Sequence, residues 1–357
     1  MTEQDLGQLP ISPADQAAMD AAARRQAQLA KPPGSLGRLE EISIRMAGIT
    51  GQVCNAPDRC RVVVFAADNG VIAEGVASTP EIVTLTQSIN MTKHLTGMSA
   101  LAQYFGDSVV VVDVGIRNSG EYPGILNRKI RLGTGNFAKV PAMTRQEALD
   151  AIAVGLDLAA QAKAEGIQLL GIGEMGVGNT TSSAAVLAAL AGAPASAVTG
   201  RGAGLTDAAF ARKKAVIDGA LRLHRPNAQD PIDVLSKVGG LDLAAMTGAY
   251  LGCAAAKLPA VVDGFISIVA ALCAVRLRPA VRDYLFLSHV SREPGYTLAQ
   301  ALLGLSPCLM LDMGLGEGSG CPLAFQILKA ACAVMSNMAT FQEAAIDDSY
   351  LAQLTNP

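Results

Sequence analysis

Six short apolar runs punctuate the chain, and each ends in a polar or glycine turn. They begin with Val62–Ala67 before Asp68-Asn69-Gly70, Val109–Val112 before Asp113-Val114-Gly115, and Gln168–Gly171 before Ile172-Gly173-Glu174. Ala260–Val262 before Asp263-Gly264, Tyr284–Leu287 before Ser288-His289 and Cys308–Leu311 before Asp312-Met313-Gly314 complete the set. Unbroken Val/Leu runs, unlike alternating ones, belong to strands buried on both faces, which is the mark of a parallel sheet. Ala- and Leu-rich stretches at 145–164, 181–192 and 206–223 lie between them and read as helices. The alternation predicts an α/β fold built on a mainly parallel six-stranded sheet with flanking helices.

The chain ends follow a different pattern. Ser12-Pro13-Ala14-Asp15 reads as a helix start, with Ser12 as N-cap, Pro13 at the first helical position and Asp15 at the positive end of the dipole. That helix should run to about Lys31, where Pro32-Pro33-Gly34 stops it. A second helix with Leu36, Leu39, Ile42 and Met46 on one side should follow, and 321–345 also reads as helix. With no strand between them, the terminal helices predict a small helical subdomain from 1–50 and 325–357 beside a large α/β domain at 51–324.

Composition narrows the partners. At 357 residues, 50% hydrophobic and 17% charged, the chain can bury a large core without disulfides and is far from disordered. Its net charge of −3 and lack of Lys/Arg-rich runs give no footprint for a nucleic-acid backbone, and 4% aromatic content gives no stacking platform. Seven scattered cysteines without a C-x-x-C predict buried thiols in a reduced, cytoplasmic protein rather than a disulfide framework or zinc site. The start, Met-Thr-Glu-Gln-Asp, has neither the basic region nor the apolar core of a signal peptide. The most apolar stretch, 241–275, is broken by Lys257, Pro259 and Asp263, so no membrane span is expected.

Three glycine clusters hold the candidate chemistry. Gly171-Ile-Gly173-Glu174-Met-Gly176-Val-Gly178-Asn179-Thr180-Thr181 contains G-x-G-x-x-G at a strand-to-helix junction, but no acid follows about twenty residues on to bind a ribose. It suits either one phosphate on exposed amides and hydroxyls or simply a tight turn. Gly314-Leu315-Gly316-Glu317-Gly318-Ser319-Gly320 places one carboxylate among four glycines. Partial burial would raise that carboxyl toward the range of a general base; a surface turn fits the same letters. Gly200-Arg201-Gly202-Ala203-Gly204 precedes Lys213 and Lys214, either of which could reach an anion. The three histidines are isolated, so no metal site is expected, and G-x-S-x-G is absent, which disfavours a Ser-His-Asp hydrolase.

Taken together, seven motifs in order resemble the nicotinate-nucleotide–dimethylbenzimidazole phosphoribosyltransferase family. They are Lys31-Pro-Pro-Gly-Ser-Leu-Gly-Arg38-Leu-Glu40, Ala67-Asp68-Asn69-Gly70-Val71, Gly173-Glu174-Met-Gly-Val-Gly-Asn-Thr-Thr181 and Ser236-Lys-Val-Gly-Gly240. Asp263-Gly-Phe-Ile-Ser267, Ser288-His-Val-Ser291 and Gly314-Leu-Gly-Glu-Gly-Ser-Gly320 complete the series, which spans residues 31 to 333. The resemblance implies a Rossmann-like large domain, a small helical domain from both chain ends, and a homodimer. It implies transfer of phosphoribose from nicotinate mononucleotide to 5,6-dimethylbenzimidazole in assembly of the cobalamin lower ligand, with no metal and no cofactor.

By the same resemblance Glu317 would be the general base, with Glu174 and Lys213 at the nucleotide. Gly176, Gly178, Asn179, Thr180 and Ser291 would line the phosphate site, Gly202 would lie close to the nucleotide, and Thr79, Gln87 and Leu315 would wall the incoming base. Many members carry His where this chain has Asn69. The stretch Ala77-Ser78-Thr79-Pro80-Glu81 is one of the less fixed parts of the pattern, so another benzimidazole, adenine or a phenol is the alternative acceptor. A dinucleotide-dependent oxidoreductase built on Gly171–Gly178 is the rival from another class.

Overall fold

A computed structural model describes residues 1–349 and 351; the end of the expected 325–357 segment, at 350 and 352–357, lies outside the described residues. One seven-stranded sheet runs through the molecule: β1 (Cys60–Ala67), β2 (Ser108–Gly115), β3 (Ile125–Asn127), β4 (Leu169–Met175), β5 (Ala260–Val262), β6 (Leu285–His289) and β7 (Pro307–Leu309). Every pairing is parallel, in the order β3-β2-β1-β4-β5-β6-β7. All six expected strands are present. The seventh, β3, is the correction: it is three residues long, lies half-exposed at the edge, and runs straight into Arg128 and Lys129, so it leaves no apolar run to read.

The chain winds outward from β1 toward β3, then returns through the helix Arg145–Ala164 to β4 and winds the other way toward β7. Right-handed crossovers in opposite directions put helices on both faces of the sheet. That is why Val62 to Ala67 are all buried, with no polar alternation to show a solvent side. β1 and β4 are neighbours whose onward connections diverge, and a crevice opens at their carboxyl ends.

The helices Gln16–Gln28, Arg38–Thr50 and Gly320–Asn337 pack together, with Ala22, Ala47 and Met335 forming an apolar cluster of their own. Three sequence boundaries shift here. The first helix is capped by Asp15, which accepts the Ala18 N–H at 3.0 Å, so the helix starts beyond Ser12-Pro13. It ends at Gln28 rather than Lys31, and the last helix ends at Asn337 rather than 345. Both stops have one cause: Leu29 and Met338 turn extended, and Leu29 pairs antiparallel with Thr340 while Ala30 N–H reaches the Ala339 carbonyl at 2.9 Å. Leu36 lies in the turn before the second helix, whereas Ile42 and Met46 are buried as expected.

The helix Arg145–Ala164 begins at a capping box formed by Thr144 and Glu147 and lies against Leu241–Ala255 at near-backbone contact. A Cβ on Gly155 would fall 1.9 Å from the Ala245 carbonyl oxygen, and one on Gly248 would fall 1.9 Å from that of Ile152. No side-chain rearrangement relieves a clash with backbone, so Gly155→Ala should destabilise by about 1–3 kcal/mol despite alanine's better helix propensity. A urea-unfolding midpoint equal to the parent's would show that the helices can move apart freely.

Candidate active site

The carboxyl ends of the central strands deliver polar groups to one crevice. Asp68 and Asn69 follow β1, Glu174 lies near the end of β4, Asp263 follows β5, and His289 ends β6. The Gly314–Gly320 loop after β7 closes over them. The resulting cavity of about 290 Å³ is lined by all twelve residues the resemblance singles out. Thr79, Gln87 and Leu315 are part of its wall, as are the apolar Val76 and Val83. Gly176, Gly178, Asn179, Thr180, Gly202, Ser291 and Lys213 line the rest together with Glu174 and Glu317.

The first glycine cluster is not the loop its letters suggest. Gly171 and Gly173 lie inside β4, where each makes room for another segment. A Cβ on Gly171 would meet Cys321 at 2.5 Å, and one on Gly173 would meet the Glu317 carbonyl oxygen at 2.5 Å. Only Gly176 and Gly178 belong to the turn, and Gly178, at φ +92°, starts the helix Asn179–Ala191 with no side-chain cap. An uncapped helix start offers backbone N–H groups to an anion. The dinucleotide fingerprint therefore fails on geometry as well as on its missing acid.

Glu317 sits between two other left-handed residues, Gly316 at φ +83° and Gly318 at φ +87°, and itself has φ +64°. For a residue with a Cβ that conformation costs about 1–2 kcal/mol, so neighbouring contacts must hold it. Its N–H donates to Glu174 Oε1 at 3.1 Å, and its Oε2 accepts the Met98 N–H at 3.4 Å. Burial raises the Glu317 carboxyl above its ordinary range, against the Met98 and Thr96 hydrogen bonds that lower it.

Behind it lies a group of buried acids. Asn179 Nδ2 donates to Glu174 Oε2 at 2.5 Å and to Asp242 Oδ2 at 3.1 Å. Burial pushes Glu174 up to about 8 and Asp242 to about 6, and the charge of Asp242 adds to the rise at Glu174. Asn69 stands beside them, its Oδ1 accepting the Ser182 hydroxyl at 2.8 Å.

A buried cation lines the same cavity. Lys213 is wholly buried, and its Nζ donates to Thr180 Oγ1 at 2.9 Å and to the Gly200 carbonyl at 3.1 Å. Burial lowers it to about 8, while the charge of Glu293 acts the other way. Of the two lysines the sequence offered, Lys214 instead lies over the Phe210 ring, 4.2 Å from its centroid. Glu293 also accepts the Gly202 N–H at 2.9 Å, joining the loop after β6 to the Gly200–Gly204 loop.

A cavity with one buried lysine beside hydroxyls and glycine amides, and raised carboxyls in the same lining, suits transfer of a phosphate-bearing group. A family model described as "Phosphoribosyltransferase" matches residues 11–346. The chain belongs to this phosphoribosyltransferase family. The nicotinate-nucleotide–dimethylbenzimidazole phosphoribosyltransferase of Clostridium perfringens is 51% identical over 330 residues, covering 92% of this chain and 91% of that protein. The protein of the same name from Geobacter sulfurreducens is 50% identical over 339 residues, with 94% and 96% covered. The crystal structure of the Thermus thermophilus phosphoribosyltransferase of that name superposes with a TM-score of 0.89 at 42% identity. The match covers 94% of this chain and 100% of that one. Family membership and the strand-embedded glycines together set aside the oxidoreductase reading.

Several groups that shape this phosphoribosyltransferase site were not singled out from the sequence. Asp263 and His289 were visible as strand-end polar residues. Asp242 lies in the first turn of a helix, where an acid is ordinary, and Glu293 lies in a polar loop with nothing to distinguish it. No group of three or more His, Cys, Asp or Glu among the described residues is arranged to hold a metal ion, and no helix among them is long and apolar enough to cross a membrane.

The raised Glu174 has a consequence for stability. From 4.5 to about 8 the folded chain keeps a proton there that an unfolded chain releases, so stability falls as pH rises through that window. Glu174→Gln should therefore flatten the fall in unfolding midpoint between pH 5 and 8. An unchanged slope would mean the proton is held elsewhere.

Proposed function

We propose that this protein transfers the phosphoribosyl group of nicotinate mononucleotide to 5,6-dimethylbenzimidazole, giving α-ribazole 5′-phosphate and nicotinate. The observation that carries the reading is the placement of Glu317. Its carboxyl, raised by burial and held on the glycine loop, lines the same cavity as the uncapped helix start and Lys213. Glu317 takes the ring N–H proton of the benzimidazole while its other nitrogen attacks ribose C1′. Attack comes from the face opposite nicotinate, so the β bond of the donor becomes the α bond of the product. The C1′–N bond pair returns to the pyridinium nitrogen, which leaves neutral. No general acid is then required, and because no pyrophosphate departs, no metal is needed to neutralise one. A base and correct positioning suffice.

Lys213, Thr180, Gly176, Gly178, Asn179, Gly202 and Ser291 take the donor's phosphate and nucleotide in this reading. Glu174 faces the positive charge that develops at C1′, and Thr79, Gln87 and Leu315 wall the acceptor. Thr79 is exposed and Leu315 is 58% exposed, which favours tolerance of other rings and keeps another benzimidazole, adenine or a phenol as alternative acceptors. We further take the active protein as a cytoplasmic homodimer, with residues 1–50 and 325 onward forming a small helical domain beside a large domain at 51–324. Exposed Leu95, Tyr104, Met310 and Leu311 are the kind of apolar surface a second copy covers.

The test is chromatographic release of nicotinate from nicotinate mononucleotide with each acceptor in turn, with and without EDTA. Acceptor-dependent release that EDTA leaves unchanged is expected, fastest with 5,6-dimethylbenzimidazole; no release with any acceptor would sink the reading. Glu317→Gln should lower turnover by about 10²–10⁴-fold while nucleotide binding stays nearly intact. Near-normal turnover in that variant would remove Glu317 as the base.

A further inference from the structure

The loop before the helix Gly320–Asn337 holds a glutamate between two left-handed glycines, and the Glu317 side chain's contact with the Met98 N–H is not its only tie. The loop's amides are held from below by other segments. Glu174 accepts the N–H of Glu317 itself. The Asp263 carboxylate takes two further amides of the loop: Oδ2 accepts the Gly318 N–H at 3.0 Å and Oδ1 accepts the Gly320 N–H at 2.7 Å.

This is not an ordinary helix cap. A cap takes amides two or three residues inside the helix and comes from the N-cap residue. Here Ser319 holds that position without a cap bond, and its hydroxyl has no hydrogen-bond partner among the described residues. Asp263 instead takes amides just beyond the base. It is itself fixed: its N–H donates to Ser267 Oγ at 3.0 Å, and the Ser267 hydroxyl donates to the Ile172 carbonyl of β4 at 3.0 Å. His289 Nδ1 lies 3.8 Å from Oδ1. A continuous connection thus runs from the central strand through Ser267 and Asp263 to the backbone beside Glu317.

We propose that Asp263 is the positioning residue for Glu317, fixing the backbone that presents the base at the cavity wall and setting a negative charge behind it. The inference rests on the reading of Glu317 as base. The groups facing Glu317 are Asp263 and Glu174 from below, and the Met98 N–H and Thr96 hydroxyl from the helix start beside it. Burial is the main cause that raises its carboxyl, and the Asp263 charge adds to it. Asp263 is itself raised by burial, against the His289 charge and the Gly320 and Gly318 amides that favour its ionised form, so loss of that charge lowers Glu317.

Asp263→Asn removes the charge and sets an amide N–H₂ against one of the two backbone donors. Turnover should fall about 10²-fold, as small misplacements of reacting groups do, with the acid limb of the kcat profile moved to lower pH. KM for nicotinate mononucleotide should stay within about threefold of the parent, because none of the residues assigned to the donor is altered. A kcat within about threefold of the parent, or an acid limb that does not move, overturns the proposal. Glu317→Gln is run alongside: if it keeps normal turnover, the base reading fails first, and the proposal with it. Calorimetric binding of nicotinate mononucleotide reports whether Asp263→Asn is folded. If it is not, Ser267→Ala loosens the same connection more gently and should lower kcat by about three- to tenfold at unchanged KM. An unaltered kcat in that variant also overturns the proposal.

Discussion

One carboxylate ties three segments of this molecule together. Glu174, near the end of β4, accepts the N–H of Glu317 from the loop after β7 and the side-chain N–H of Asn179 from the first turn of the next helix. The strand, the glycine loop and the helix start are therefore fixed relative to one another through a single buried acid. Burying an acid costs free energy unless its oxygens are met by donors, and here both are. The glycines follow from this junction. Without a bare Cα at Gly316, a Cβ would fall 2.5 Å from Glu174 Oε1, and at Gly173 one would fall equally close to the Glu317 carbonyl. Gly173, read as part of a nucleotide fingerprint, is thus the space that β4 and the Glu317 backbone need to meet.

The sheet was legible because strands buried on both faces leave unbroken apolar runs. Where that cause is absent, as at the half-exposed edge strand Ile125–Asn127, no trace remains. Helix ends were misread for a different reason. Leu29 and Thr340 stop two helices by pairing across nearly the whole length of the chain, and nothing local at either residue announces the other. Pro13 and Pro32 gave local signals for both ends of the helix Gln16–Gln28; the Asp15 cap set its start and the Leu29–Thr340 pairing its stop.

The candidate site divides in the same way. Glu317 and Glu174 were visible as acids among glycines, Lys213 as a lysine after a glycine cluster, and the family resemblance brought the rest with them. All twelve reach one cavity because the strand ends they follow lie along one edge of the sheet, a consequence of parallel order. Asp242 and Glu293 escaped notice since each does its work through a distant partner: Asp242 through Asn179, Glu293 through the Gly202 amide. Hydrogen bonds between residues 63 and 91 positions apart have no pattern in a single sequence.

The charge arrangement bears on the proposed chemistry. Glu174 and Asp242 share the donor of Asn179, and Asn69 beside them is an amide as well, so neutral donors surround both acids. The cation of the cavity, Lys213, is engaged instead with Thr180 and Gly200. Glu174, raised to about 8 by burial, is drawn toward its ionised form by a positive charge nearby, because the charge lowers its pKa. On the proposed reading the donor carries that positive charge on its pyridinium ring and develops more at C1′ as the bond breaks. Glu174, which lines the cavity, then gains most of its attraction at the moment the charge moves onto the sugar. Such attraction, stronger in the transition state than in the ground state, is what lowers a barrier. The donors that hold Glu174 in place are neutral, so none of that attraction is already spent on a resident cation.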